Sequence, residues 1–242
     1  MHRALPILLL AVLALSTTMA AATPPAARVL VYTRTEGWRH DSIPAAVAAL
    51  QRLAAQEGAE VDHSEDPGDF TSANLARYRT VVFANTTGDV LDQAQQQAMQ
   101  EFVRSGGSFI GLHAAADTEY GWPWYGQLVG AWFLSHPPGL QTARVQLEQE
   151  PAGALHWRVT DELYNYRDNP RGRVRVIAAV DERDYEGGTM GADHPIAWCH
   201  ESLGGRAWYA GLGHSAETYA DARFTSLLQR GLRYALHHAK DC

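Results

Sequence analysis

The 242-residue chain carries 20 Lys and Arg against 27 Asp and Glu, a formal net charge of -7 with a pI near 5.8. It has no basic run, and since phosphate neutralisation needs clustered cations the chain is expected not to bind nucleic acid. Its two cysteines, Cys199 and Cys242, are too few for the disulfide framework of a small secreted fold, so the fold must rest on a buried core.

Taken in chain order, Arg3 precedes an apolar run from Leu5 to Leu15, then small residues around Ala20–Ala22. This reads as a secretory signal peptide over residues 1–22, cleaved after Ala20 or Ala22, and an exported, periplasmic or extracellular protein is expected. The run is short of the roughly 20 residues that span a bilayer, and Thr23-Pro24-Pro25 cannot extend it. No membrane span is expected after cleavage; an uncleaved anchor is the alternative.

The spacing then predicts strands at Ala27–Thr33, Ala59–His63, Thr80–Asn85 and Ser108–His113. Helices are predicted between them at Ser42–Gln56, near Ser72–Ala76, and at Leu91–Ser105, where Gly106-Gly107 stops the last. Four βα repeats imply a single α/β domain with a mainly parallel, doubly wound sheet. Further on, Gln141–Glu148 alternates, Val174–Val180 is apolar apart from Arg175, and Pro195–His200 with Arg206–Leu212 flanks Gly204-Gly205 as a hairpin. Cys199 falls inside that apolar pattern and is expected to pack as a small hydrophobe, with a bridge to Cys242 as the alternative. Phe224–His238 closes the chain as an amphipathic helix.

Ligands of open parallel sheets bind beyond the carboxyl ends of the strands. The segments there are Thr33–Asp41, Thr86–Gly88, His113–Glu119 and Gly213–Ser215, so His40, His113 and His214 are predicted to share one pocket, joined by His136. His113, His136 and His214 could hold a divalent metal such as zinc. The alternatives are that the imidazoles cap strands or that they move protons. His113 and His214, with Asp117 and Glu119, form the candidate catalytic set.

Aromatic residues crowd the neighbouring loops, and Trp122, Trp124 and Tyr125, with Arg39, His40 and Arg171, are candidate contacts to a carbohydrate. The alternative is that the aromatics are core. There is no GxSxG motif and no glycine-rich phosphate loop, so neither an elbow nucleophile nor a nucleotide cofactor is expected.

The runs GWRHDSI (Gly37–Ile43), GGSFIGLHAAADTEYGWPWYGQLVGAWFLSHP (Gly106–Pro137), DELYNY (Asp161–Tyr166), NPR (Asn169–Arg171), DERDYEGGTMGADHPIAWCHE (Asp181–Glu201) and GGRAWYAGLGHSAETY (Gly204–Tyr219) together resemble the ThuA-like, trehalose-utilisation family over residues 27–238. The resemblance implies a flavodoxin-like three-layer α/β/α sandwich of the class I glutamine amidotransferase superfamily. In that superfamily the elbow carries a catalytic Cys, and His113 stands there in Gly111-Leu112-His113-Ala114-Ala115, so amidotransferase activity is not implied. The late segment containing His214 and Glu217 matches the position of the superfamily's catalytic His. The resemblance also implies work on sugars through 3-keto intermediates, although its sugar-catabolic members are typically cytoplasmic and this chain has an export signal. The expected function is therefore an enzyme acting on keto-glycosides or sugars, with a non-catalytic carbohydrate-binding or sensing domain as the alternative. Whether the chain forms a homo-oligomer is open.

Overall fold

The computed structural model describes residues 1, 26–148 and 156–242; apart from Met1, the signal peptide read at 1–22 lies outside the described residues. In chain order the strands are β1 (Ala27–Tyr32), β2 (Ala59–Ser64), β3 (Thr80–Ala84), β4 (Ser108–Leu112), β5 (Phe133–Ser135), β6 (Gln141–Leu147), β7 (His156–Asp161), β8 (Asn165–Tyr166), β9 (Arg175–Val180), β10 (His194–His200) and β11 (Ala207–Ala210). Nine of them form one sheet in the order β2-β1-β3-β4-β11-β10-β9-β6-β7, while β5 and β8 pair as a separate ribbon. The first five in that order are parallel. The remaining four continue as an antiparallel meander. The sheet is thus mixed rather than mainly parallel, because hairpin-type returns replace helical crossovers in the second half.

Every residue of β3 and β4 is buried, as expected for strands covered on both faces. At the edge, β2 is half polar, and Arg28 pairs there with Asp62. Helix α1 (Ile43–Gln56) buries Ile43, Ala46, Val47, Leu50, Leu53 and Ala54, the stripe its 3.6-residue period requires. It packs against α5 (Ala222–Ala235), where Gly231 lies so close to Trp208 that a Cβ would come within 2.6 Å of the indole. Short α2 (Ser72–Leu75) packs against α3 (Gln93–Arg104), which starts on a reciprocal capping box between Asp92 and Gln95. The aromatic-rich stretch after β4 is not all loop: it contains α4 (Pro123–Val129) as well as β5.

The cysteine expectation needs correcting. Cys199 is buried, but it is bonded to Cys242 across 43 residues of sequence. The tail after α5 turns back because Arg206 Nη1 donates to the carbonyls of Tyr234 and Ala239, each at 2.7 Å, which brings the last residue over β10. Opening this 43-residue link by Cys199→Ala with Cys242→Ala is expected to cost about 2–4 kcal/mol, largely through the unfolded chain. The loss should appear as a lower urea midpoint with unchanged far-UV circular dichroism; an unchanged midpoint would show that the bridge does not form in solution.

Two features of topology position the functional end. From β1 the chain moves outward to β2 and then back across to β3, so the winding direction reverses between β1 and β3. In addition, β6 pairs with β9 only at Val145–Leu147, while its earlier residues pair with β7 as far as Gln141 opposite Asp161. The β6–β7 hairpin therefore runs past the carboxyl end of β9 and delivers the residues after Asp161 to the same end as the parallel strands.

Candidate metal centre

His113 follows β4 at φ 46°, a left-handed conformation that non-glycine residues seldom adopt and that the surroundings must enforce. Tyr209 Oη donates to the His113 carbonyl at 2.8 Å, and His113 Nδ1 donates to the Gly211 carbonyl at 2.9 Å. With a proton on Nδ1, the neutral tautomer of this ring would present Nε2 as a lone pair. That nitrogen is buried and has no hydrogen-bond partner.

His214 leaves β11 through Gly213, whose φ of 124° suits glycine and whose absent side chain leaves room for Tyr219 Oη, 2.5 Å from where a Cβ would be. The Gly213 carbonyl accepts from Ser42 Oγ at 2.8 Å and from Asn85 Nδ2 at 3.3 Å. From the other side the buried Asp161 carboxylate accepts from the Gly213 and His214 amides, at 2.8 and 3.0 Å, and from the Thr218 hydroxyl at 2.8 Å. It also accepts from the amide of Glu162 at 2.8 Å, so one carboxylate joins the end of β7 to the turn that carries His214. His40 arrives from the loop between β1 and α1.

These elements bring His40, His113, His214 and Glu162 together with one ligand atom from each lying within 4.8 Å of the others. The imidazole rings meet edge to face, with His40 4.9 Å from His113 and 5.1 Å from His214, and 5.4 Å between His113 and His214, centre to centre. Glu162 Oε2 lies 3.4 Å from His113 Nε2 and 3.2 Å from His214 Nδ1. Neither nitrogen makes a hydrogen bond of acceptable geometry, and His40 Nδ1 is likewise buried and unpartnered. Buried lone pairs left without donors are costly, and three imidazoles with one carboxylate are a donor set that suits a divalent transition metal.

The electrostatics agree with a cation-seeking centre. Burial, assisted by His113 and His214, pushes His40 down to about 3, so its ring is neutral near pH 7. Burial would raise the Glu162 carboxyl, but the close approach and charge of His113 and His214 outweigh it and hold the group well below the ordinary carboxylate range. Glu162 in turn raises His214. Tyr164 closes one wall, its ring 4.2 Å from that of His113.

The other sequence candidates divide. His136 reaches the outer oxygen of Glu162, Nδ1 to Oε1 at 3.2 Å, and also lies 2.8 Å from the Pro137 carbonyl, so it borders the four-residue cluster while His40 occupies the place predicted for it. Asp117 is half-buried beside the cluster; burial raises its carboxyl, a hydrogen bond from Tyr120 opposes this, and the charge of His113 is felt there. Tyr120 Oη donates to Asp117 Oδ1 at 2.6 Å. Glu119 is not brought to the imidazoles: its buried carboxylate accepts from the amides of Val90 and Leu91 and from Gln96 Nε2, all at 2.7–2.8 Å. Tyr125 is wholly buried with Oη on the Ala115 carbonyl, and Trp122 and Trp124 pack on each other with rings 4.9 Å apart. Arg39 pairs with Glu65 at 2.7 Å. Arg171 is held by Glu148 and Asp193 at a cleft of about 890 Å³, which lies apart from the histidines and whose arginines are paired with carboxylates.

Glu162 and Asp161 carry no role in the sequence reading, although DELYNY contains both. The signal was an Asp-Glu pair directly after the alternating stretch that forms β7; its meaning depends on where the β6–β7 hairpin ends.

A family model described as trehalose utilisation, ThuA, matches residues 28–235. Among solved structures, a protein described as ThuA-like from Bacteroides uniformis superposes with a TM-score of 0.73 at 21% identity, covering 90% of this chain and 95% of that one. A second ThuA-like protein, from Parabacteroides merdae, gives 0.72 at 18% identity over 87% and 90%. A cold-adapted β-galactosidase from Rahnella sp. R3 gives 0.53 at 16% identity, with 86% of this chain covering 31% of that one. At these identities the likenesses speak for the fold, and no curated protein matches the sequence. With its α/β fold about a large mixed sheet and a family match over most of its length, this chain belongs to the ThuA family, which is linked to trehalose utilisation and hence to carbohydrate.

Proposed function

We propose that the protein is a metal-dependent enzyme acting on glycosides or keto-sugars, with zinc held by His40, His113, His214 and Glu162. The observation that carries this reading is the convergence of buried, unpartnered imidazole nitrogens on one carboxylate oxygen. A bound zinc would supply Lewis acidity toward a sugar oxygen. The chain's own residues supply the rest. Gly211 fixes the His113 tautomer, Asp161 fixes the backbone of Glu162 and His214, and Tyr164 shields the inner wall from water. In a 3-keto-glycoside the carbonyl acidifies the neighbouring C–H, and Asp117, one oxygen of which accepts from Tyr120, is the carboxylate that would take that proton in this reading. A binding module resting on Trp122, Trp124 and Tyr125 has less support, since these residues are engaged with one another and with the core.

The finer architecture follows the same reading: α1 with α5 and α2 with α3 are the helix pairs of a flavodoxin-like three-layer sandwich. Export is in keeping with the Cys199–Cys242 bridge, which an oxidising compartment would preserve. No described helix is long and apolar enough to cross a membrane.

Protein purified without chelators is expected to contain about one zinc per chain. It should eliminate or hydrolyse a 3-keto-glucoside, lose that activity on chelation and regain it with zinc. Metal-free protein whose melting temperature zinc does not change would exclude the centre. Metal-loaded protein inert toward keto-glycosides, with no heat of binding, would exclude the substrate.

A further inference from the structure

Six of the seven tryptophans are buried or half-buried against the core, whereas Trp38 is 72% exposed. Its backbone is nevertheless fixed. The Glu36 amide donates to the Thr87 carbonyl at 2.8 Å, the Gly37 amide donates to Thr87 Oγ1 at 3.1 Å, and Thr87 Oγ1 donates to the Trp38 carbonyl at 3.0 Å. Thr35 also bridges to Thr87 in parallel register, prolonging the β1–β3 pairing beyond the sheet. Leaving an indole in water at a rigid position forgoes the free energy of burying it, so the fold gains nothing from it there.

Residues 38–40 run without bend or turn. Arg39 turns to Glu65 and His40 into the cluster, so Trp38 is joined to the site two residues before His40. The charge around it is spent: Arg34 pairs with Glu36, Arg39 with Glu65, and Arg167 lies over the Tyr120 ring at 4.0 Å. The single lysine, Lys240, sits beyond α5 next to the Ala239 carbonyl that Arg206 holds, at the opposite end of the strands.

We propose that Trp38 is the stacking platform of this site, receiving the C–H face of an uncharged pyranose ring beside the imidazole–carboxylate cluster and disfavouring sugar phosphates. An indole face suits a patch of sugar C–H groups, and with Arg34, Arg39 and Arg167 engaged elsewhere no free cation among the described residues is at hand for a phosphate. The inference rests on the carbohydrate reading above and identifies the residue that would orient the ring, a positioning role distinct from the metal donors.

The test is calorimetry and tryptophan fluorescence on the zinc-loaded full chain, titrated with trehalose and methyl β-glucopyranoside and, as the charged control, glucose 6-phosphate. The wild-type protein is expected to bind a neutral sugar with a saturable change in emission. Trp38→Ala should weaken that binding roughly tenfold and remove the emission change, while zinc content and melting temperature stay unchanged, because the side chain is outside the core. Trp38→Phe should recover most of the affinity. Neutral-sugar binding unaltered in Trp38→Ala, or glucose 6-phosphate bound as well as neutral sugar, would overturn the platform alone. Wild-type protein that binds none of the sugars would overturn the carbohydrate reading and the platform with it.

Discussion

Glu162→Gln is expected to reduce zinc affinity at least a hundredfold while the fold is retained. The carboxylate is the one anionic donor of the cluster, and Oε2 lies within 3.2–3.4 Å of two imidazole nitrogens. A neutral amide keeps its shape but removes the charge that offsets the ion's desolvation. Outer partners of metal ligands are worth roughly 10–100-fold in affinity, and a ligand should exceed the upper end of that range. Competition against a chromophoric chelator reads the affinity, and circular dichroism reads the fold. His113→Asn is the companion variant, because Asn tolerates the left-handed backbone at φ 46° better than most residues and so removes the nitrogen without releasing the strain. Both variants should also abolish turnover. Glu119→Gln is the contrasting case: it should destabilise the loop that meets Val90 and Leu91 and leave zinc binding unchanged. Zinc bound equally well by Glu162→Gln would remove the carboxylate from the centre and leave the imidazoles as its donors.

The parts legible in the sequence were those governed by local period. The stripe of α1, the apolar runs of β3 and β4 and the hairpin around Gly204-Gly205 follow from side-chain spacing alone. The convergence of His40, His113 and His214 follows from the strand pattern alone, because a parallel sheet sends all its carboxyl strand ends to one edge. Glu162 could not be placed, since its position depends on β6 meeting β9 only at Val145–Leu147, a register set by pairing between distant segments. The aromatic loop was ambiguous for a different reason. Tryptophan and tyrosine suit a sugar pocket and a core equally well in composition, and only packing shows that Tyr125 lies under Phe83 and Phe109 while Trp38 stands in solvent. Helix α4, seven residues starting at Pro123, is too short to show a period.

Asp161→Asn is expected to damage the centre without touching any proposed ligand. All four partners of this wholly buried carboxylate are donors, the amides of Glu162 and His214 on Oδ1 and the Gly213 amide and Thr218 hydroxyl on Oδ2. An asparagine must turn its NH2 toward one of these pairs. The cheaper orientation faces Gly213 and Thr218, since the hydroxyl can rotate to accept, but the Gly213 amide is then orphaned against a second donor. One or two unsatisfied buried groups cost about 1–3 kcal/mol each. For a domain of this size each kcal/mol lowers the melting temperature by roughly 2–4 °C, so a drop of about 5–10 °C is expected. The same substitution loosens the joint between β7 and the Gly213 turn, so Glu162 and His214 lose their common reference and zinc affinity should fall by roughly tenfold or more. Thermal melts and chelator competition on one preparation separate the two effects. A lower melting temperature with undiminished zinc affinity would mean that Ser42 and Asn85, which hold the Gly213 carbonyl from the other side, suffice to keep His214 in place.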